Sequence, residues 1–154
     1  LIVMTSTLST LLAGLRDLHA RGVTAFNLWF VSLTDNNSDN AASLPLLAEA
    51  IPAVTACLDY GQAEGIEVRS LHLPRCLLPG REDHVAHPGQ GLDVQVVTPD
   101  ATFQLSASRL AGGHKPPRCQ DCMWEARCPG LRHDYVARFG DDAIQPVRAP
   151  GAPP

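Results

Sequence analysis

Short apolar runs alternate with amphipathic segments through the first half of the chain. Residues 1–4 and 23–33 are nearly continuous apolar runs, which are typical of strands buried on both faces of a sheet. Apolar residues at helical spacing predict a helix over about residues 10–20 and a longer one from residue 43 or 44 to about residue 64. A third strand is predicted over residues 66–73. Strands joined by helices in this way predict βαβ units with right-handed crossovers, in a parallel sheet covered by helices.

The pattern changes after residue 80. The segment GREDHVAHPGQG is polar and predicts a loop, and a hairpin is predicted from strands 94–97 and 102–105 around the turn 98–101. A short turn or helix is predicted over residues 106–110, and a short helix over residues 131–139. These segments are shorter and more polar than those of the first half, so the second half should form a small separate module.

We therefore expect three parts in the chain. Residues 1–80 form the α/β part, residues 81–147 form a hairpin-plus-cysteine-loop module, and residues 148–154 form a disordered tail rich in proline, alanine and glycine. The first apolar run starts without an initiating methionine, which indicates a piece of a longer protein.

The composition and charge of the chain argue against two classes of binding partner, nucleic acids and membranes. The chain has 154 residues, is 45% hydrophobic and 18% charged, and carries a formal net charge of −4, which is typical of a globular protein. A negative chain without a basic surface is not expected to bind nucleic acid. No apolar run has transmembrane length and no secretory leader is recognisable, so we expect no membrane partner and a cytoplasmic location.

The stretch RCQDCMWEARCPGLRHDY carries the candidate chemistry. It contains Cys119, Cys122 and Cys128, and a fourth cysteine, Cys76, lies upstream in LHLPRCLLPG. Thiolates are soft ligands, and four of them suit a structural zinc ion or a [4Fe–4S] cluster equally well by number. Five cysteines without a secretory leader argue against disulfides. The fifth, Cys57, is interpreted as a core thiol of the long helix.

Three histidines could also be ligands. His84 and His87 lie in the polar loop, and we interpret them as solvated loop residues. His114 precedes the cysteine stretch and could replace Cys76 in a zinc site.

The order of these parts resembles the C-terminal half of a radical S-adenosylmethionine enzyme. The matching phrases are LIVMTSTLSTLLAGLRDLHARGV, LHLPRCLLPG and CQDCMWEARCPGLRHDY, and the C-x2-C-x5-C spacing of the last resembles auxiliary-cluster modules of the SPASM and twitch types. The resemblance covers roughly residues 1–147. It implies an α/β fold in which the C-terminal part of a partial (β/α) barrel, with parallel strands, precedes a small module that binds one auxiliary [4Fe–4S] cluster.

The resemblance also implies roles for particular residues. Cys76, Cys119, Cys122 and Cys128 would be the cluster ligands, and Arg118 and Arg127 would tune its potential. Three strand-end hydroxyl groups would lie near S-adenosylmethionine in the full-length enzyme; they belong to Thr5, Ser6 and Ser32. Trp124, Tyr135 and Phe139 are expected to pack around the cluster site and keep water from it.

The chain departs from the family in one respect. The C-x3-C-x2-C loop that holds the catalytic cluster in this family is absent, so the chain should be inactive alone and should work with an N-terminal radical half. The substrate would be a peptide or a small molecule. Two alternatives remain open: a structural zinc-binding interaction module, and an α/β domain whose cysteine loop holds no metal.

Overall fold

A four-stranded parallel sheet and a small antiparallel hairpin form the framework of the protein. The computed structural model describes residues 1–33, 37, 39–87, 93–105 and 112–149. Its strands and helices, in chain order, are β1 (Ile2–Val3), α1 (Leu11–Ala20), β2 (Ala25–Phe30), α2 (Leu47–Glu64), β3 (Glu67–Leu71), β4 (Val85–Ala86), β5 (Gln95–Val97), β6 (Thr102–Gln104) and α3 (His133–Phe139). The α/β class predicted from the sequence is confirmed.

Strands β1 to β4 lie side by side in chain order and are all parallel. Right-handed crossovers between strands that advance in one direction place their helices on the same face of the sheet. Accordingly, the residues of β2 alternate between exposed and buried along the strand. The expectation that these strands are buried on both faces is therefore wrong. One face is packed against α1 and α2, and the other face is open in the part of the chain that the structure describes.

The open face carries a mixture of polar and aromatic side chains. Ile2 and Trp29 are paired in register across β1 and β2, and their side chains are 48% and 41% exposed. Glu67 and Arg69 of β3 are also exposed and form an ion pair at 2.5 Å. Parallel sheets are normally covered on both sides, so an exposed face of this kind is unusual.

Helix α2 begins later than its pattern predicts. Residues Ala41–Ser43 form a separate short 3₁₀ helix, and Leu44 has an extended backbone conformation. Pro45 explains the break, because a proline disfavours the helical conformation in the residue before it. The helix ends as predicted at Gly65, which adopts the left-handed conformation with φ 67°.

The short strand β4 was not predicted. It lies inside the segment interpreted as a polar loop, and its two residues are too few to show a period. Val85 is nevertheless only 3% exposed, and β4 extends the sheet beyond β3.

The predicted hairpin is confirmed by β5 and β6, which pair antiparallel around residues 98–101. Within that turn the hydroxyl of Thr98 accepts a hydrogen bond from the Ala101 N–H at 3.0 Å. The predictions for residues 106–110 and for most of the tail lie outside the described residues, so neither is tested.

Helix α3 packs against the main sheet rather than standing apart. Tyr135 belongs to the same hydrophobic core as Val3, Phe30 and Val54, together with Leu131 from just before the helix. The hydroxyl of Tyr135 also accepts a hydrogen bond from the N–H of the first residue of α2. The boundary at residue 80 remains a prediction, but the core is continuous across it. Over the described ranges, no helix is both long enough and apolar enough to span a membrane.

Candidate functional site

Four cysteines line one cavity. Cys76 lies in the short 3₁₀ helix Arg75–Leu77 that follows β3, whereas Cys119 lies in the 3₁₀ helix Pro117–Asp121. Cys122 and Cys128 each follow the last residue of a 3₁₀ helix. Residues more than forty positions apart in sequence are therefore brought to the same cavity by the fold.

The cavity has a volume of about 360 Å³, which includes open solvent. Most of its remaining lining is apolar or aromatic. Besides the four cysteines, the lining residues are Pro74, Lys115, Trp124, Glu125, Gly130, Leu131, Ile144 and Pro146. Free thiols at the edge of an apolar space are the environment in which soft metal centres are held.

A close crossing of the backbone ties the ends of the cysteine loop together. His114 and Leu131 form an antiparallel bridge, in which the His114 N–H donates to the Leu131 oxygen at 2.6 Å and the Leu131 N–H donates in return at 3.0 Å. Gly113 and Gly130 stand beside this bridge, and a Cβ atom on either would overlap the opposite backbone. All three cysteines of the loop lie between these two tied positions.

Backbone N–H groups lie against two of the sulfur atoms. The Gly130 N–H donates to Cys128 Sγ at 3.4 Å, and a Gln145 N–H is directed at the Cys76 thiol. Burial raises the pKa of Cys76 to about 11, and the other three thiols act in the same direction, while the Gln145 N–H opposes them. The mutual influence of the four groups reflects their proximity.

Two cations act on Cys119. Burial raises the pKa of this thiol, and the neighbouring thiols add to the effect, whereas Arg118 and Lys115 oppose it. Arg118 is held in place because it donates to the Asp141 carboxylate at 2.7 Å and to the Ile144 oxygen at 3.0 Å. The position of Arg118 suits its expected role; for Arg127, the described contact is made by its backbone oxygen with Arg75.

Only one of the three aromatic residues expected around the site lines the cavity. Trp124 does so, and the guanidinium of Arg75 lies 5.3 Å from the centre of its ring. Tyr135 instead packs between Phe30 and Phe139 with tilted rings. Its ring centre lies 6.1 Å from that of Phe30 and 4.9 Å from that of Phe139. The expectation for these two residues is wrong, because the apolar face of α3 is used to cover the sheet.

Two observations bear on whether a metal centre fits. The indole Nε1 of Trp124 is buried and has no hydrogen-bond partner among the described residues, and Trp124 lines the cavity together with the four cysteines. Cluster sulfur atoms accept such hydrogen bonds. In the described residues, however, no three or more His, Cys, Asp or Glu side chains are grouped so as to hold one metal ion. The donor set thus suits a soft metal centre, although its atoms are not gathered around one point.

His114 is engaged elsewhere. Its Nε2 atom lies 2.5 Å from the Asp141 carboxylate, and the residue is not part of the cavity lining. The cavity therefore offers the four cysteines and Glu125 as possible ligands, and the Glu125 carboxylate is paired with Lys115 at 2.9 Å.

The three hydroxyl residues lie at the carboxyl ends of β1 and β2. Thr5 and Ser6 are exposed in the 3₁₀ helix Thr5–Thr10, and Ser32 is half-buried two residues after β2. The Ser32 backbone oxygen accepts a hydrogen bond from the Asn37 side chain at 2.7 Å. Because β1 and β2 are parallel neighbours, these residues all lie at the side of the sheet where the strands have their carboxyl ends, which we call the carboxyl edge.

Sequence reasoning missed a pair of histidines at the same edge. His72 follows β3 directly and His87 follows β4, and the structure buries ring nitrogens of both. The interpretation of His87 as a solvated loop residue is wrong, because β4 draws it into the sheet. The position of His72 at the end of a predicted strand was the signal that could have drawn attention to it.

Comparison with protein-family models, curated proteins and solved structures gives no significant match.

Proposed function

We propose that this chain is the C-terminal part of a radical S-adenosylmethionine enzyme that binds an auxiliary [4Fe–4S] cluster. The cluster would support radical-based modification of a peptide or small-molecule substrate. The observation that carries the proposal is the convergence of Cys76 with the C-x2-C-x5-C loop at one cavity.

The winding of the sheet supports the proposal of a partial barrel. Four parallel strands advance in chain order without the reversal that characterises doubly wound sheets. A barrel wound in this way has helices outside and a lumen inside, and the open face would be part of that lumen. The N-terminal radical half would supply the remaining strands and cover this face.

The chain's own residues would hold the cluster and shield it. Cys76, Cys119, Cys122 and Cys128 would be its ligands, and when bound it would supply electron transfer next to the substrate cavity. Four cysteines would saturate the cluster, so substrate would not bind to its iron. Trp124 would donate a hydrogen bond towards sulfur and exclude water.

Polar groups at the carboxyl edge would contact the cosubstrate. Ligands of parallel α/β sheets bind at this edge, where Thr5, Ser6 and Ser32 lie. The chain alone would not cleave S-adenosylmethionine, because it lacks the C-x3-C-x2-C motif. All five cysteines are free, which supports our proposal of a reducing, cytoplasmic location.

A cysteine substitution series tests the proposal. Each of Cys76, Cys119, Cys122 and Cys128 is changed to alanine, and iron and sulfide are measured after anaerobic reconstitution. We expect each change to reduce loading strongly, while the control Cys57→Ala, which removes a core thiol outside the cavity, loads like the parent protein. Full loading in Cys76→Ala would remove that residue from the ligand set, and one zinc per chain with no iron in the parent would favour the structural zinc module.

A further inference from the structure

Two histidine rings at the carboxyl edge of the sheet have nitrogen atoms that are buried and unpaired. Nε2 of His72 and both ring nitrogens of His87 have no hydrogen-bond partner in the part of the chain that the structure describes. Buried polar atoms are nearly always paired in native proteins, and each exception needs an explanation. A ligand that pairs with one nitrogen of each ring would explain why polar atoms of both rings are buried.

The register of the sheet places the two residues at the ends of neighbouring strands. Ser70 is paired with Val85 and Leu71 with Ala86, so His72 and His87 each directly follow the last paired residue of their strand. Neighbouring strands are separated by about 4.8 Å, so side chains at the ends of two such strands can contact one small group. The electrostatic effect of His72 on His87 is consistent with this proximity.

The backbone of His72 is held in an unfavourable conformation. Its φ of 69° makes it the single non-glycine residue with positive φ among those described. Such strain is uncommon in non-glycine residues and clusters at functional sites. The conformation is accompanied by an edge-on contact with Trp29, whose ring centre lies 4.4 Å from that of His72. Since Trp29 belongs to the open face, the histidine pair is at the end of the surface that would line the lumen.

The charges around the pair favour an anion. The positive charge of Arg75 lowers the pKa of His87. The Arg75 guanidinium also donates to the backbone oxygen of Val85 in β4 at 3.1 Å. The positive charge of Arg132 lowers the pKa of His72. Arg132 is itself neutralised by Asp134, with which it forms a largely buried ion pair at 2.9 Å. The guanidinium of Arg75 also donates to the Arg127 oxygen at 2.9 Å, but no carboxylate among the described residues neutralises its charge.

Both rings are neutral near pH 7. Burial lowers the pKa of His87 to about 4, and Arg75 and His72 act in the same direction. Burial also lowers the pKa of His72; Arg132 adds to this and Asp134 opposes it. A neutral imidazole offers one N–H donor, and two such donors suit the two oxygen atoms of a carboxylate. A divalent cation at this place would be repelled by the positive charge of Arg75.

We propose that His72 and His87 form a binding site for the carboxylate group of a small acid or of a short peptide. Each ring donates one hydrogen bond to the carboxylate, Arg75 supplies long-range attraction, and Trp29 contacts the adjacent apolar part of the ligand. The site does not include the cysteines, so it is expected in protein with and without a metal centre. The test of this site therefore does not depend on whether the protein binds a cluster.

Binding of N-acetylglycine tests this inference, with N-acetylglycinamide as the matched probe that lacks the carboxylate. The imidazole signals of isotope-labelled protein are followed by NMR at pH 7 as each compound is added. We expect saturable shifts of the His72 and His87 signals with N-acetylglycine and none with the amide. Equal responses to both probes, or no response to either, would overturn the proposal.

Two variants and one control assign the response to the pair. His87→Leu removes the donor at residue 87. His72→Asn has a shorter side chain whose amide does not reach the position of Nε2, and asparagine tolerates the positive φ of residue 72. We expect at least about tenfold weaker binding in each, because a hydrogen bond to a charged group is lost. His84→Gln changes a histidine of the same loop whose nitrogens are not among the buried unpaired atoms, and it should bind normally. Unchanged affinity in both pair variants would contradict the assignment.

The source of the carboxylate is resolved by a further comparison of probes. Glycine presents the carboxylate of a free amino acid, whereas N-acetylglycine imitates the end of a peptide. Tighter binding of glycine would support a free amino acid, and tighter binding of N-acetylglycine would support a peptide ligand. Circular dichroism of each variant confirms that the fold is retained.

Discussion

Replacing Gly130 with alanine should open the cysteine loop. Gly130 has φ 89°, and a Cβ atom there would lie 2.8 Å from the carbonyl carbon of His114 and 3.0 Å from that of Gly113. These are backbone atoms, so no side-chain rotation can relieve the overlap. The bridge between His114 and Leu131 would have to separate.

The cost can be worked out from two contributions. A left-handed conformation costs an alanine about 1–2 kcal/mol. Loss of the two bridge hydrogen bonds costs about 1 kcal/mol each, which brings the total to about 3–4 kcal/mol. Domains of this size have a free energy of unfolding of about 5–15 kcal/mol, so the change is a large fraction of the total.

Gly112→Ala is the matched control. Gly112 also has positive φ, at 70°, but a Cβ atom there meets nothing within 4 Å. It should therefore cost only the conformational part, about 1–2 kcal/mol. The free energies of unfolding are compared by urea denaturation, and exchange of the Leu131 amide hydrogen reports directly on the bridge. If the two variants were equally stable and the Leu131 amide stayed protected in Gly130→Ala, the close crossing would not be what ties the loop.

Three further predictions concern other parts of the molecule. Gly14→Ala should stabilise α1 by about 1 kcal/mol in thermal denaturation, because a Cβ atom there meets nothing within 4 Å and alanine favours the helix; a lower melting temperature would contradict this. The pKa of His87 is lowered in the folded protein to about 4, so unfolded chains bind more protons between pH 6.5 and 4. Stability should be complete above pH 6.5 and fall by roughly 2 kcal/mol towards pH 4 after allowance for solvent screening, and His87→Gln should flatten this dependence in urea titrations. Trp124→Phe should leave iron loading intact but lower the reduction potential of the proposed cluster in a redox titration, since a hydrogen bond to sulfur favours the reduced state; an unchanged potential would show that the indole N–H is not used.

The α/β framework could be predicted because it depends on long periodic segments. The apolar runs of β2 and β3 and the helical pattern of α2 are signals of that kind, and they identified the parallel sheet correctly. Burial on both faces was predicted wrongly, because an apolar run does not reveal the direction in which successive crossovers advance. The observed order of strands leaves one face open.

The cysteine site could be predicted from the local sequence, whereas the histidine site could not. The spacing of Cys119, Cys122 and Cys128 is local and visible in the sequence, and the strand-end position of Cys76 suggested a common cavity. The placement of His72 and His87 at the ends of neighbouring strands could not be predicted, because it depends on β4, which is two residues long. A strand of two residues is stabilised by tertiary contacts and is too short to show the alternation of apolar and polar residues from which strands are predicted.

Metal analysis of anaerobically purified protein, together with its absorption spectrum, determines whether the four cysteines hold an iron–sulfur cluster. We expect about four irons and four sulfides per chain, with the broad visible absorption of a [4Fe–4S] cluster. Colourless protein with one zinc per chain, or with no metal after reconstitution, would contradict this expectation.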